Sequence, residues 1–136
     1  MLSVESQLGL WLVVSTLFAQ WVVASTVKAK QPGAVPGKVD DSLGPESFIF
    51  RAHRAFMNSQ EIFPLFFGSV IVAYFTQVNA QFLAVCIWVF ALSRIAYTAW
   101  YYMVATEKNP SFRSLIFAIG LFASLVLLVG SLFFVG

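Results

Sequence analysis

Arg51-Ala52-His53-Arg54-Ala55-Phe56-Met57-Asn58-Ser59-Gln60-Glu61-Ile62-Phe63-Pro64 runs directly into the lipid-like stretch Leu65–Tyr74. As a helix, it brings Arg51, Arg54, Asn58 and Glu61 to one face, at spacings of three, four and three. Ala52, Ala55, Phe56, Met57 and Ile62 cover the remainder. Ionised groups lose their hydration in hydrocarbon, so such a stripe must face a partner, a wet cavity or a ligand. The rest of the chain is read for what it offers that stripe.

The composition favours a membrane protein. Of 136 residues, 60% are hydrophobic, 17% aromatic and 10% charged, and the mean hydropathy is +0.84. Soluble domains carry about a quarter charged residues. A net charge of +2 without a basic patch argues against nucleic acid. The lone Cys86 excludes an intrachain disulfide and a cysteine-built metal site, and reads as a packing residue. His53 is alone among the groups a metal would need, so no metal is expected. It stands off the polar stripe and reads as an interfacial side chain.

Four helices are expected in a single membrane domain over residues 1–136, at about 8–27, 48–76, 82–104 and 112–134. The first run is about the twenty residues needed to cross a hydrocarbon core of roughly 30 Å. No positive charge precedes it and Lys28 and Lys30 follow, the order of a retained signal anchor. Gln20 is its one strongly polar interior residue. The loop over 28–47 contains Pro32, Pro36, Pro45 and the turn Asp40-Asp41-Ser42; Ser47 is placed to cap the second helix, with Glu46 beside its positive end. That helix is roughly 43 Å long, so its charged first half is expected at or outside the cytoplasmic boundary of the membrane, and Pro64 is expected to bend it or open its backbone ladder. The uncharged connector Gln77–Gln81 makes helices two and three antiparallel neighbours. Gly120, Ser124 and Gly130 permit close approach of the fourth helix.

Basic residues set the orientation. Lys28, Lys30, Lys38, Arg51, Arg54, Lys108 and Arg113 all fall on the side of the first and third connections, and none on the other. Both charged connections are therefore expected in the cytoplasm and both termini outside it.

Arg94, Tyr97 and Tyr101 share a face of helix three, with Lys108 two turns further on. Counted from the connector, Glu61 lies near the height of Arg94, Asn58 near Tyr97, and Arg54 near Tyr101, with an offset of roughly 4.5 Å. The two faces are expected to form a polar ladder, within one chain or between subunits, with Glu61 and Arg94 as its deep ion pair. Two arginines offer forked donors for carboxylates, Glu61 accepts an ammonium, and asparagine and tyrosines hold amides. A zwitterionic peptide with several carboxylates fits that inventory.

The run Arg54-Ala55-Phe56-Met57-Asn58-Ser59-Gln60-Glu61-Ile62-Phe63-Pro64 resembles the second-helix signature of the MAPEG superfamily, Arg-Ala-x-x-Asn-x-x-Glu-x-x-Pro. MAPEG denotes the membrane-associated proteins of eicosanoid and glutathione metabolism. Arg94-Ile95-Ala96-Tyr97 with Tyr101 resembles its third-helix signature, Arg-x-x-Tyr-x-x-x-Tyr. The pattern is most similar to the leukotriene C4 synthase and microsomal glutathione transferase branches. The resemblance implies a homotrimer of four-helix bundles with glutathione, the co-substrate, held in a cytoplasm-facing cleft between neighbours. Arg54, Asn58, Glu61, Arg94, Tyr97 and Tyr101 match glutathione-contacting positions, and Arg51 a basic position one turn earlier. Lys28 and Lys30 fall near basic positions that end helix one. Lys108 stands where the family places a thiolate-stabilising arginine, with Arg94 and Tyr101 as alternatives for that role. Ile62 departs from a tyrosine found in the leukotriene branch. The implied activity is transfer of glutathione to apolar electrophiles or reduction of lipid hydroperoxides, in a detoxification role. The alternative is a non-catalytic, lipid-presenting member resembling the 5-lipoxygenase-activating protein.

Overall fold

Residues 2–108 and 110–135 are described by a computed structural model. It contains α1 (Val4–Ala29), α2 (Phe48–Phe75), α3 (Ala80–Met103) and α4 (Phe112–Ser131), the last extended by a 3-10 turn over Leu132–Phe134. All four are long and apolar enough to cross a membrane, and no strand occurs among the described residues. The protein is an all-α, integral, multi-pass membrane protein.

The helix ends follow local hydrogen-bonding chemistry. α1 begins ahead of the apolar run because Ser3 caps it, its hydroxyl accepting from the Ser6 amide at 3.2 Å. Asn79 caps α3 by accepting from the amides of Gln81 and Phe82. Its carbonyl also takes the first helical bond, so α3 starts within the expected connector. Ser47 does stand at the N-cap of α2, but its side chain makes no capping bond. Arg51 reaches back from the first turn to fix the incoming loop, donating from Nη1 to the carbonyls of Pro45 and Glu46 at 2.8 Å each. The loop between α1 and α2 turns at Gly33 and Gly37, whose φ of 66° and 76° lie in the left-handed region. Within it, Asp40 accepts from the Ser42 amide and hydroxyl, which holds its carboxyl below the ordinary carboxylate range. α2 is continuous through Pro64, which lies exposed on its outer face.

α3 packs on α1, α2 and α4, and α2 also meets α1 and α4. Among the described residues α1 and α4 do not touch, so they occupy opposite corners of the bundle. The core is apolar where α2 and α3 cross: Phe66 stacks on Phe90 with centroids 3.8 Å apart, and Ile62, Ile87 and Leu127 are at most 1% exposed around them. Small residues set the helix spacing. A Cβ on Gly9 would stand 2.6 Å from Ile87 Cγ2, and one on Gly130 2.7 Å from the Phe82 ring. Ile87 is fully buried and branched at Cβ, so it has no room to yield. Gly9→Ala is therefore expected to destabilise the protein by about 1–3 kcal/mol, read as a lower melting temperature in detergent. Unchanged melting would mean that α1 is free to shift on α3.

Candidate functional site

The buried stripe of α2 is Ala52, Ala55, Ser59, Ile62, Phe63 and Phe66. The polar stripe foreseen from the sequence lies along its edge. Asn58 is half-buried, while Arg54 and Glu61 are exposed. α3 inserts Arg94, Tyr97 and Tyr101 into the bundle, at 1%, 4% and 6% exposure.

Arg94 is the centre of the polar network. Its Nη2 donates to Asn58 Oδ1 at 3.0 Å and to Ser59 Oγ at 2.8 Å. Its guanidinium lies 4.3 Å from the Tyr97 ring centroid and 5.9 Å from that of Phe117. Nε and Nη1 are buried and have no hydrogen-bond partner among the described residues. The expected Glu61–Arg94 ion pair does not form within the chain, since Glu61 is on the exposed side of α2. The physical reason is rotation and reach: the face of α2 against α3 is centred on Ser59. The long arginine side chain also extends towards the polar end of the bundle, one turn beyond the height of Glu61. Behind Arg94, Thr98 Oγ1 donates to the Arg94 carbonyl at 2.7 Å and accepts from Gln20 Nε2. The polar residue of α1 is thus 1% exposed and tied to the same turn of α3.

Arg54, Asn58, Tyr97, Tyr101, Arg113, Ser114 and Phe117 line a cavity of about 180 Å³ where α2, α3 and the start of α4 converge. Arg113 covers the Tyr101 ring, 4.2 Å from its centroid. The lining holds two cations and no carboxylate, so it suits an anionic ligand with aromatic walls. Of the candidates from sequence, Arg54, Asn58, Tyr97 and Tyr101 share this cavity and Arg94 supports it from behind. Arg51 is engaged elsewhere, its Nη2 also donating to the Tyr102 carbonyl at 3.3 Å, so it fastens α2 to the end of α3. Lys108 is exposed in the connection after α3 and outside the lining, as Glu61 is. Sequence reasoning missed Ser59, Arg113, Ser114 and Phe117. Arg113 had a signal, being the one charge on an otherwise apolar α4.

A four-helix membrane bundle with a cationic, aromatic-walled cavity near its charged end is the class of protein these features define. The MAPEG family model matches residues 8–133. The chain belongs to the MAPEG family, which includes glutathione transferases and non-catalytic members. Comparison with curated proteins and with solved structures gives no match.

Proposed function

We propose that this chain is a glutathione-dependent membrane transferase or peroxidase acting on apolar substrates dissolved in the bilayer. The observation that carries this reading is Arg94, a buried cation whose Nε and Nη1 have no partner among the described residues, behind a cavity without acids. Such a group calls for an acceptor from outside the chain, and glutathione brings two carboxylates. At about 180 Å³ the cavity is below the roughly 300 Å³ at which small-molecule pockets begin. One subunit therefore supplies part of the site, and neighbours in a homotrimer complete it. Glu61, exposed at the edge of the stripe, is free to accept the ammonium of a tripeptide bound between subunits.

A free thiol near pKa 8.5 is mostly protonated at neutral pH, and a cation beside it favours the thiolate. Arg113 lines the cavity, so it takes that role here. Lys108, the expectation from sequence, adds to the field from the adjoining connection, and Tyr101 offers a hydroxyl. In transfer, the thiolate attacks the electrophilic carbon, a C–S bond forms and the leaving group departs with its electron pair. In peroxide reduction, two glutathiones become the disulfide while the hydroperoxide becomes alcohol and water. Holding both reactants together supplies much of the rate.

The reading is tested by mixing the purified protein with glutathione and following thiolate absorbance, then conjugation of a generic aryl halide. Thiolate formation followed by conjugation is expected; the absence of both would overturn the reading. The second reading, a lipid-presenting protein, is favoured by one observation. The groove between α3 and α4, about 660 Å³, is lined by apolar residues with Cys86 at its base. Lipid binding without conjugation would establish that reading instead.

A further inference from the structure

Gln20 is 1% exposed in a membrane-spanning helix, where an apolar side chain would fill the same space at less cost. The rest of the inward stripe of α1, Ser6, Gly9, Val13 and Ala24, is small or apolar. Nearer its start α1 is already fastened to α3. Gly9 lies against Ile87 there, and Trp88 Nε1 donates to the Glu5 carbonyl at 3.0 Å. Holding the two helices together does not require the amide.

Thr98 fixes the orientation of that amide. Its hydroxyl has one proton, which goes to the Arg94 carbonyl at 2.7 Å, so Thr98 Oγ1 can only accept from Gln20. Gln20 Nε2 therefore faces Thr98, and Oε1 is left buried without a partner among the described residues. A half-satisfied amide in low dielectric is a net cost to the fold. In a helix threonine divides between two χ1 rotamers, and a hydroxyl bonded to the carbonyl four residues back tends to bend the helix. Donation from Gln20 holds Thr98 in the bonded form. The carbonyl concerned belongs to Arg94, and Thr98 stands between Tyr97 and Tyr101, the two tyrosines that line the cavity.

We propose that Gln20 is a positioning residue: acting through Thr98, it sets the turn of α3 that aims Arg94 at Asn58 and Ser59 and holds Tyr97 and Tyr101 at the cavity. Arg94 is thereby gripped from two sides, its carbonyl from α1 through Thr98 and its guanidinium from α2. The costly amide specifies a geometry and adds no stability. What the positioned groups bind rests on the glutathione reading; the positioning itself does not.

The test compares the full chain in detergent, isotope-labelled at its arginine nitrogens, with Gln20→Met, Thr98→Val, Thr98→Ser and the double variant Gln20→Met/Thr98→Val. The Nε signal of Arg94, identified by its loss in Arg94→Met, is expected to shift in Gln20→Met and Thr98→Val while that of Arg51 stays. The melting temperature of Gln20→Met should be no lower than that of the wild type. In aryl-halide conjugation both variants should raise the KM for glutathione about fivefold, the effect of one misplaced hydrogen bond, with kcat within about twofold. The double variant should do no worse than either single one, because the two side chains act in series. Thr98→Ser keeps the hydroxyl and should keep the wild-type KM. Thr98→Val leaves α1 unaltered, so it decides the question should Gln20→Met fail to fold. An unmoved Arg94 signal in both single variants, or additive losses in the double one, would overturn the proposal. Glutathione bound equally well by wild type and variants would overturn it too, and leave the glutathione reading standing. No glutathione binding by the wild type, with the Arg94 signal shifted in both variants, would sink that reading and uphold the positioning.

Discussion

Replacing Arg94 by methionine is expected to raise the melting temperature of the ligand-free protein in detergent and to abolish any further rise on adding glutathione. The two effects have one cause. Arg94 is 1% exposed and leaves Nε and Nη1 without partners, so the ligand-free fold bears the cost of an incompletely compensated buried charge. An apolar side chain of similar length removes that cost, a gain of about 1–4 kcal/mol by comparison with other buried ion networks. Ser59 and Asn58 lose a donor in the variant, which offsets part of it. Glutathione affinity should fall at least about thirtyfold, since the loss of a buried charge partner costs 2 kcal/mol or more. A lower melting temperature with glutathione stabilisation intact would mean that Arg94 only holds the bundle together.

The second large effect is on chemistry. Arg113→Met is expected to lower aryl-halide conjugation at neutral pH by about tenfold or more, with a smaller change in the KM for glutathione. A cation within contact lowers a thiol pKa by about 1–3 units. Its removal shifts the ascending limb of the pH–rate profile towards the free-thiol value of about 8.5. Activity should therefore recover as the pH is raised, which a folding defect would not do. Lys108→Met should have the weaker effect, because Lys108 is exposed and outside the cavity lining, where solvent screens it. If the order is reversed, with Lys108→Met showing the larger loss and the pH shift, the thiolate lies at the connection and not over Tyr101.

The fold class was legible because it rests on local free energies. A run of about twenty apolar residues closed by Lys28 and Lys30 leaves few alternatives to a spanning helix, whatever packs against it. Much of the candidate cavity was legible for a related reason. Arg94, Tyr97 and Tyr101 are too polar for lipid and share one face, so they had to turn inward. Glu61 shows where such reasoning ends. Spacing along the chain puts Glu61 within about a turn of Arg94 in height, but height does not specify rotation about the helix axis. Arg113 shows the same limit, since the side of α4 that meets Tyr101 is decided by packing.

From the amino-acid sequence alone came four membrane-crossing helices, the side that carries the basic loops, and the set of polar residues that lipid would not accept. Each follows from the hydration of individual groups, which depends on residue type and spacing. The tertiary structure decided which of those residues meet: Arg94 with Asn58 and Ser59, Arg113 over Tyr101, Arg51 on the carbonyls of Pro45 and Glu46. Those pairings depend on helix rotation and register. Close contacts between distant residues, such as Gly9 against Ile87 and Gly130 against Phe82, set both, and they exist only once the bundle has formed.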